Sequence, residues 1–238
     1  MAPKSYRQEL KYLLSPAHAF LLQQRIAAVL QADAHTGADG NYNIRSIYFD
    51  TGDDRAYQEK RMGISEREKF RIRIYNLCPD TIKLERKEKR ENLIWKDVTA
   101  IQKDTADACV QGDFESLLSY EHPLTALVYG KSKAEGLHPT VIVDYQRKAY
   151  IHPAGNVRIT FDSKLMSRSV EGSIWEPGAL YDVLGEDTIL EVKFNQYLPE
   201  HIRQLLCSVP GNRMALSKYT LCRENLYRKQ GIYLGGKG

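Results

Sequence analysis

The 238-residue sequence lacks most of the patterns by which a catalytic chain announces itself. It has four cysteines, and the closest two, Cys207 and Cys222, stand 15 residues apart. With no CxxC pair a zinc site is not expected, and the chain is too long for a small disulfide scaffold. A reducing cytoplasm fits that cysteine usage. Long apolar runs are missing too: stretches such as Ala19–Leu22 and Ile26–Leu30 fall far short of the ~20 residues a membrane helix needs. Met1–Lys11 is polar and charged, unlike a signal peptide. No Walker-type glycine loop, GxGxxG or HExxH occurs, so nothing supports a P-loop or zinc-protease chemistry. The six histidines are scattered, and His122, His138 and His152 precede proline, which suits turns or helix ends better than metal ligation. Trp95 and Trp175 read as packing residues. A strong excess of one charge is also lacking: 34 Lys and Arg against 30 Asp and Glu leave +4. A global field is therefore excluded, and any case for an anionic partner rests on where the cations are placed.

What remains is an ordinary globular composition, 42% hydrophobic and 27% charged, enough for one sizeable core. With no repeat, low-complexity linker or break in composition, residues 1–238 read as a single domain. Ser15 and Pro16 look like the cap and first residue of an amphipathic helix over Ala17–Gln31, with Phe20, Leu21, Ile26 and Leu30 as its buried stripe. Strands are expected at Ile44–Asp50, Glu68–Tyr75, Thr81–Lys89, Trp95–Ala100, Thr140–Tyr150, Val157–Phe161 and Leu190–Phe194. Asp113–Tyr129 reads as helical with an interruption at His122-Pro123. Pro199–Val209 and Ser217–Gln230 read as further helices.

Several of these strands share an uncommon alternation. Side chains along a strand point to opposite faces with period two. In Phe70-Arg71-Ile72-Arg73-Ile74 both arginines therefore share one face. Lys83, Glu85 and Lys87 do so in the next strand, and Arg158, Thr160 and Asp162 do so in Val157–Asp162. Glu191 and Lys193 alternate with Leu190, Val192 and Phe194. Near the start Arg7, Glu9 and Lys11 fall in register. For any single strand, a charged face turned to water is the ordinary explanation. A set of faces dominated by Arg and Lys is different, because cations gathered on one concave surface repel and call for an anion. Arg offers a planar fork and Lys a point charge, a mixture suited to phosphate. The isolated glutamates then read as metal ligands or as partners that hold individual cations in place. Ser217 before Lys218 reads more readily as a helix cap or surface hydroxyl than as a phosphate ligand.

The pieces Arg7-x-Glu9-x-Lys11-Tyr12, Ser46–Thr51, Arg67-x-Lys69-x-Arg71-Ile72-Arg73, Leu84–Lys87, Tyr145-Gln146-Arg147-x-Ala149-Tyr150, Val157–Asp162, Ile189–Lys193 and Ser217-Lys218-Tyr219 together resemble the VTC domain. That is the polyphosphate polymerase domain of the vacuolar transporter chaperone complex, which bacteria also carry as a stand-alone protein. The resemblance implies an α+β triphosphate tunnel fold: a closed antiparallel β-barrel of about eight strands, a basic interior and peripheral helices. It also implies transfer of the terminal phosphoryl of ATP to a growing polyphosphate chain with Mn2+ or Mg2+. By resemblance Lys11, Arg71, Arg73, Lys87, Arg147, Arg158, Ser217 and Lys218 contact phosphates, with Arg7 beside them. Glu191 holds the metal, with Glu9 and Glu85 as further ligands. Lys96 resembles another tunnel lysine, whereas Lys83 and Lys193 rest on strand parity alone.

The expected partners are ATP and polyphosphate, with a membrane protein partner left open and no membrane span of the chain's own. Hydrolysis of tripolyphosphate or nucleoside triphosphates on the same fold is the nearest alternative. Such relatives favour Glu-x-Glu-x-Lys near the start, where this chain has Arg7. A non-catalytic binder of polyphosphate is the third possibility. Nucleic acid is not expected, since few aromatics interleave with the basic residues.

Overall fold

The structure, a computed structural model, describes residues 8–33, 40–91, 93–207 and 213–231. Arg7, expected to contact phosphate, lies outside them. Along the chain run β1 (Gln8–Leu14), α1 (Pro16–Ala27), β2 (Gln31–Ala32), β3 (Tyr42–Asp50), α2 (Arg55–Arg61), β4 (Arg67–Tyr75), β5 (Cys78–Arg90) and β6 (Leu93–Ala100). Then come α3 (Lys103–Val110), α4 (Pro123–Glu135), β7 (His138–His152), β8 (Val157–Arg168), β9 (Tyr181–Asp182), β10 (Thr188–Phe194), α5 (Glu200–Cys207) and α6 (Lys218–Lys229). Two compact units form, one from residues 1–43, 145–165 and 184–216, the other from 44–144, 166–183 and 217–238.

In the first unit β1 pairs with β10 and β10 with β8, both antiparallel. Leu10, Val192 and Ile159 align on one face, and Lys11, Glu191 and Thr160 on the other. The apolar face joins Leu14, Phe161, Leu190 and Val192 to Leu22 and Ile26 of α1 and Ile202 and Leu206 of α5. Each fully buried side chain of that kind contributes roughly 1.5–3 kcal/mol. The expected stripe of α1 is corrected here. Ala19, Leu22 and Ile26 are buried, whereas Phe20 and Leu21 are 62% and 54% exposed. The buried stripe runs through 19, 22 and 26 at helical spacing, so Ile26 and Leu30 are buried as expected and the correction falls on Phe20 and Leu21. Ser15 is not a side-chain cap either, for its hydroxyl lies 2.8 Å from Nδ1 of His18.

In the second unit β3, β4, β5 and β6 form consecutive antiparallel ladders. Ile47, Phe49, Phe70, Ile72, Ile74, Ile82 and Leu84 meet Ala106, Cys109 and Val110 of α3 and Leu124 and Val128 of α4. His122 accepts from the backbone N–H of Leu124 at 3.1 Å and so caps α4, the helix-end role its Pro neighbour suggested. Gly136 ends α4 at φ 64°, a conformation that glycine adopts without strain.

The paired strands follow the order β1-β10-β8-β7-β3-β4-β5-β6. Among the described residues no ladder joins β1 to β6, so the closed barrel expected from the sequence gives way to an open antiparallel sheet. Alternation sets the face a residue occupies, but it carries no information about whether the two end strands meet. No helix of the described residues is long and apolar enough to cross a membrane.

Candidate functional site

The charged faces of the two units each gather a cluster of ionisable side chains. In the first unit Lys11 is its centre. Its ammonium lies 2.9 Å from Oε1 of Glu9 and 2.9 Å from Oε1 of Glu191, and it donates to the carbonyl of Leu216 at 3.1 Å. Burial works against that charge, but Glu191 and Glu9 prevail and hold Lys11 above the ordinary lysine value. Lys193 donates to Oε2 of Glu191 at 2.7 Å, yet burial keeps its pKa below that value. Arg147 grips Asp162 through two bonds of 2.6 and 2.7 Å and comes within 3.9 Å of Glu191. Arg158 pairs with Asp33 at 2.7 Å and donates to the Tyr42 hydroxyl at 3.1 Å. Beside Glu191 in the ladder, the Thr160 hydroxyl is buried without a hydrogen-bond partner. A buried polar atom left so is a group that a ligand could satisfy.

The second cluster forms around Glu85 on the face opposite the apolar core. Its carboxylate takes Arg71 Nε at 2.7 Å and Lys96 Nζ at 2.8 Å, with Arg73 at 4.0 Å. Burial alone would raise the Glu85 pKa, but Arg71, Arg73 and Lys96 bring it well below the usual carboxylate range. Lys96 is pushed down to about 8, first by burial and then by Arg71 and Arg73, against the pull of Glu85. Arg71 also donates to the Tyr48 hydroxyl at 2.8 Å. Burial favours the neutral phenol, yet the charges of Arg71, Arg73 and Lys218 lower its pKa. Lys87 stands between Lys69 on one side and Lys96 on the other, and Lys83 opposes Arg73. Ser217 begins α6, and its hydroxyl accepts from Lys69 at 3.1 Å.

The helix that carries Ser217 and Lys218 is fixed from below. Tyr219 donates its hydroxyl to Asp50, whose carboxylate also accepts from the backbone N–H groups of Thr51, Ala56 and Tyr57. One turn further, Arg223 donates to Asp54 at 2.6 Å, and Tyr227 bonds the same carboxylate. Neither Asp50 nor Tyr219 had been expected in a functional role.

The two carboxylates nearest a metal role are Glu9 and Glu191, which converge on the single ammonium of Lys11. Two hard oxygen donors suit Mg2+ or Mn2+, ions that complete their coordination with water and substrate phosphate. No group of three or more His, Cys, Asp or Glu that could hold a metal occurs among the described residues. A metal here would therefore depend on phosphate oxygens. Glu85, like Glu191, is surrounded by cations, here Arg71, Lys96 and Arg73.

The VTC domain matches residues 6–227. The chain belongs to the VTC domain family. Its fold is also similar to that of proteins of known structure. One is HpAC1 from Hippeastrum, named for adenylyl cyclase and described as having a dominant triphosphatase activity. It is 15% identical, with a TM-score of 0.55 over 92% of this chain and 94% of the other. Another is the PH1819 protein from Pyrococcus horikoshii OT3, at 14% identity and a TM-score of 0.50 over 92% and 99%. At these identities the likeness concerns the fold. No curated protein matches the sequence.

Within this VTC domain, Glu9, Lys11, Arg147, Arg158, Glu191 and Lys193 fall in the first unit. Arg71, Arg73, Lys83, Glu85, Lys87, Lys96, Ser217 and Lys218 fall in the second. Sequence reasoning missed Lys69, although its parity with Arg71 and Arg73 was visible. It also missed Thr160 as an unpartnered hydroxyl, which burial alone reveals.

Proposed function

We propose that this chain is an ATP-dependent polyphosphate polymerase that transfers the terminal phosphoryl of ATP to a growing polyphosphate chain. The observation that carries the reading is a VTC domain running through almost the whole sequence, with its basic residues collected on strand faces. Lys11, Arg147, Arg158 and Lys193 neutralise phosphate oxygens in the first unit, and Arg71, Arg73, Lys83, Lys87, Lys96, Ser217 and Lys218 do so in the second. Glu9 and Glu191 hold Mn2+ or Mg2+. When bound, the metal neutralises charge on phosphate oxygens and on the leaving diphosphate. Glu85 orders Arg71, Arg73 and Lys96 and stays a further candidate ligand. Phosphoryl transfer asks little covalent chemistry of a protein, so alignment and charge neutralisation suffice. The acceptor's own phosphate oxygen attacks, and no protein nucleophile is required. One family match spanning both units supports reading them as parts of a single domain. A cytoplasmic setting belongs to the same proposal, as does uptake of the product by a membrane protein.

Hydrolysis is the second reading, favoured by the triphosphatase activity described for HpAC1. Water then replaces polyphosphate as the acceptor. Incubation of the pure protein with ATP and Mn2+ or Mg2+ separates the two. The polymerase reading expects ADP and long polyphosphate, and orthophosphate as the sole product rejects it.

A further inference from the structure

The face of the second unit that carries Arg71 and Arg73 continues onto β6. Residues paired directly across an antiparallel ladder share a face, so Ile94, Lys96 and Val98 lie beside Lys89, Lys87 and Glu85. The chemistry changes at that boundary. In the β4–β5 ladder every same-face pair from Arg67–Lys89 to Arg73–Lys83 is made of ionisable side chains. On β6 Lys96 stands between two β-branched apolar residues. Access to water changes as well: Arg73 and Glu85 are buried, whereas Ile94 and Val98 are 42% and 39% exposed. Ala100, next to Val98 on the same face and opposite Lys83, is exposed too.

An exposed apolar residue by itself needs no explanation. Here the apolar positions adjoin a charged face and lie on its open side. β6 ends the order of paired strands, and a further strand laid along it is one way to cover them. Lys96 and Asp97 argue against that. As neighbours in a strand they project to opposite faces, and both are exposed. Charges so placed guard an edge against pairing. A small molecule fits better, part anionic to sit among the cations and part uncharged and flat to sit on Ile94 and Val98. A nucleoside triphosphate has both parts. Val98 is two strand spacings from Arg71, about 10 Å, a step that ribose and base can cover beyond the phosphates.

We propose that Ile94 and Val98 form a rim subsite for the nucleoside of the donor nucleotide, whose triphosphate lies on the cations of β4 and β5. The inference rests on the phosphoryl-transfer reading above and adds to it a means of telling a nucleotide from inorganic tripolyphosphate. Contact between the flat face of the base and the two side chains removes apolar surface from water. Neither side chain can hydrogen-bond to a base edge, so adenine and guanine nucleotides are held alike.

The test compares binding of ATP, GTP and tripolyphosphate to the full chain and to the double variant Ile94→Ser, Val98→Ser, without added metal so that no ligand is turned over. Affinity for both nucleotides is expected to fall about fivefold, equivalent to roughly 1 kcal/mol, with tripolyphosphate affinity unchanged. The exchange variant Ile94→Val, Val98→Ile keeps the apolar surface and is expected to bind nucleotides as the parent does. An equal loss for tripolyphosphate, no loss for the nucleotides, or a loss for only one of them overturns the subsite. So does an exchange variant as weak as the Ser pair. A change of oligomeric state in the Ser pair gives the face to a second copy of the chain and overturns it as well. If the parent chain binds none of the three ligands, the phosphate-binding reading itself falls, and the subsite with it.

Discussion

At Lys96 two demands meet on one ammonium. Glu85 stabilises its charge, while burial and the neighbouring Arg71 and Arg73 oppose it, and the balance falls at about 8. Below that pH the side chain is a cation and adds to the field on the strand face. As pH rises through it the charge is lost, so affinity for tripolyphosphate should fall. Because the side chain is 46% exposed, water screens the effect. A drop of about threefold between one unit below and one unit above is expected, in keeping with a partly exposed charge. Lys96→Arg keeps its charge across that range and should flatten the profile, leaving only the change due to the ligand's own protonation. Calorimetric titration at several pH values reads this directly, and an unaltered slope in the variant removes Lys96 from the anion site. Alternation assigns Glu85 and Lys87 a common face, whereas Lys96, on the neighbouring strand, was expected only from the resemblance. Its softened charge was not legible at all, since it depends on burial and on two arginines from another strand.

Among the elements, strands were the more legible. Arg71 and Arg73 could be assigned a common face because period two leaves little freedom, and the ladders place Phe70, Ile72 and Ile74 on the other. Helices were harder. The seven residues of α2 bury only Tyr57, too little to make a stripe, and the α1 stripe was read correctly at Ile26 but not at Phe20 and Leu21. Least visible was the bond between elements 169 residues apart, Asp50 at the end of β3 and Tyr219 in α6. Burial first, and then the Asp50 charge, raise the Tyr219 pKa, so its hydroxyl stays a donor. Tyr219→Phe keeps the ring against Tyr48 and removes that donor. It should lower unfolding free energy by about 1.5–3 kcal/mol, the range for a hydrogen bond to a charged group. Because α6 begins at Ser217 and Lys218, tripolyphosphate affinity should weaken in the same variant. Urea unfolding and ligand titration test the two effects separately, and full stability would show that the hydroxyl does not fasten the helix.

Over the whole molecule, a net charge of +4 conceals strong local order. Cations and acids nearly balance in number, yet several strands turn rows of Arg and Lys to one side and apolar residues to the other. Single-strand patterns made this segregation legible. Whether the end strands close a ring was not, because closure depends on pairing between segments far apart in the chain. The segregation also separates binding from chemistry. On the proposed reading many cations share the work of holding phosphate, so removing one carboxylate should hardly weaken it, whereas a metal site built on Glu9 and Glu191 has few ligands to lose. Glu191→Gln is therefore expected to abolish ATP turnover with Mn2+ or Mg2+ while polyphosphate affinity stays within about twofold of the parent, less than 0.5 kcal/mol. Loss of the negative charge also frees Lys11 and Lys193 from one partner, which favours anion binding and opposes any general weakening. Product analysis and binding on the same preparation distinguish the outcomes. Retained turnover would take Glu191 out of the metal site, and a large loss of binding would mean that its role is to arrange the cations around it.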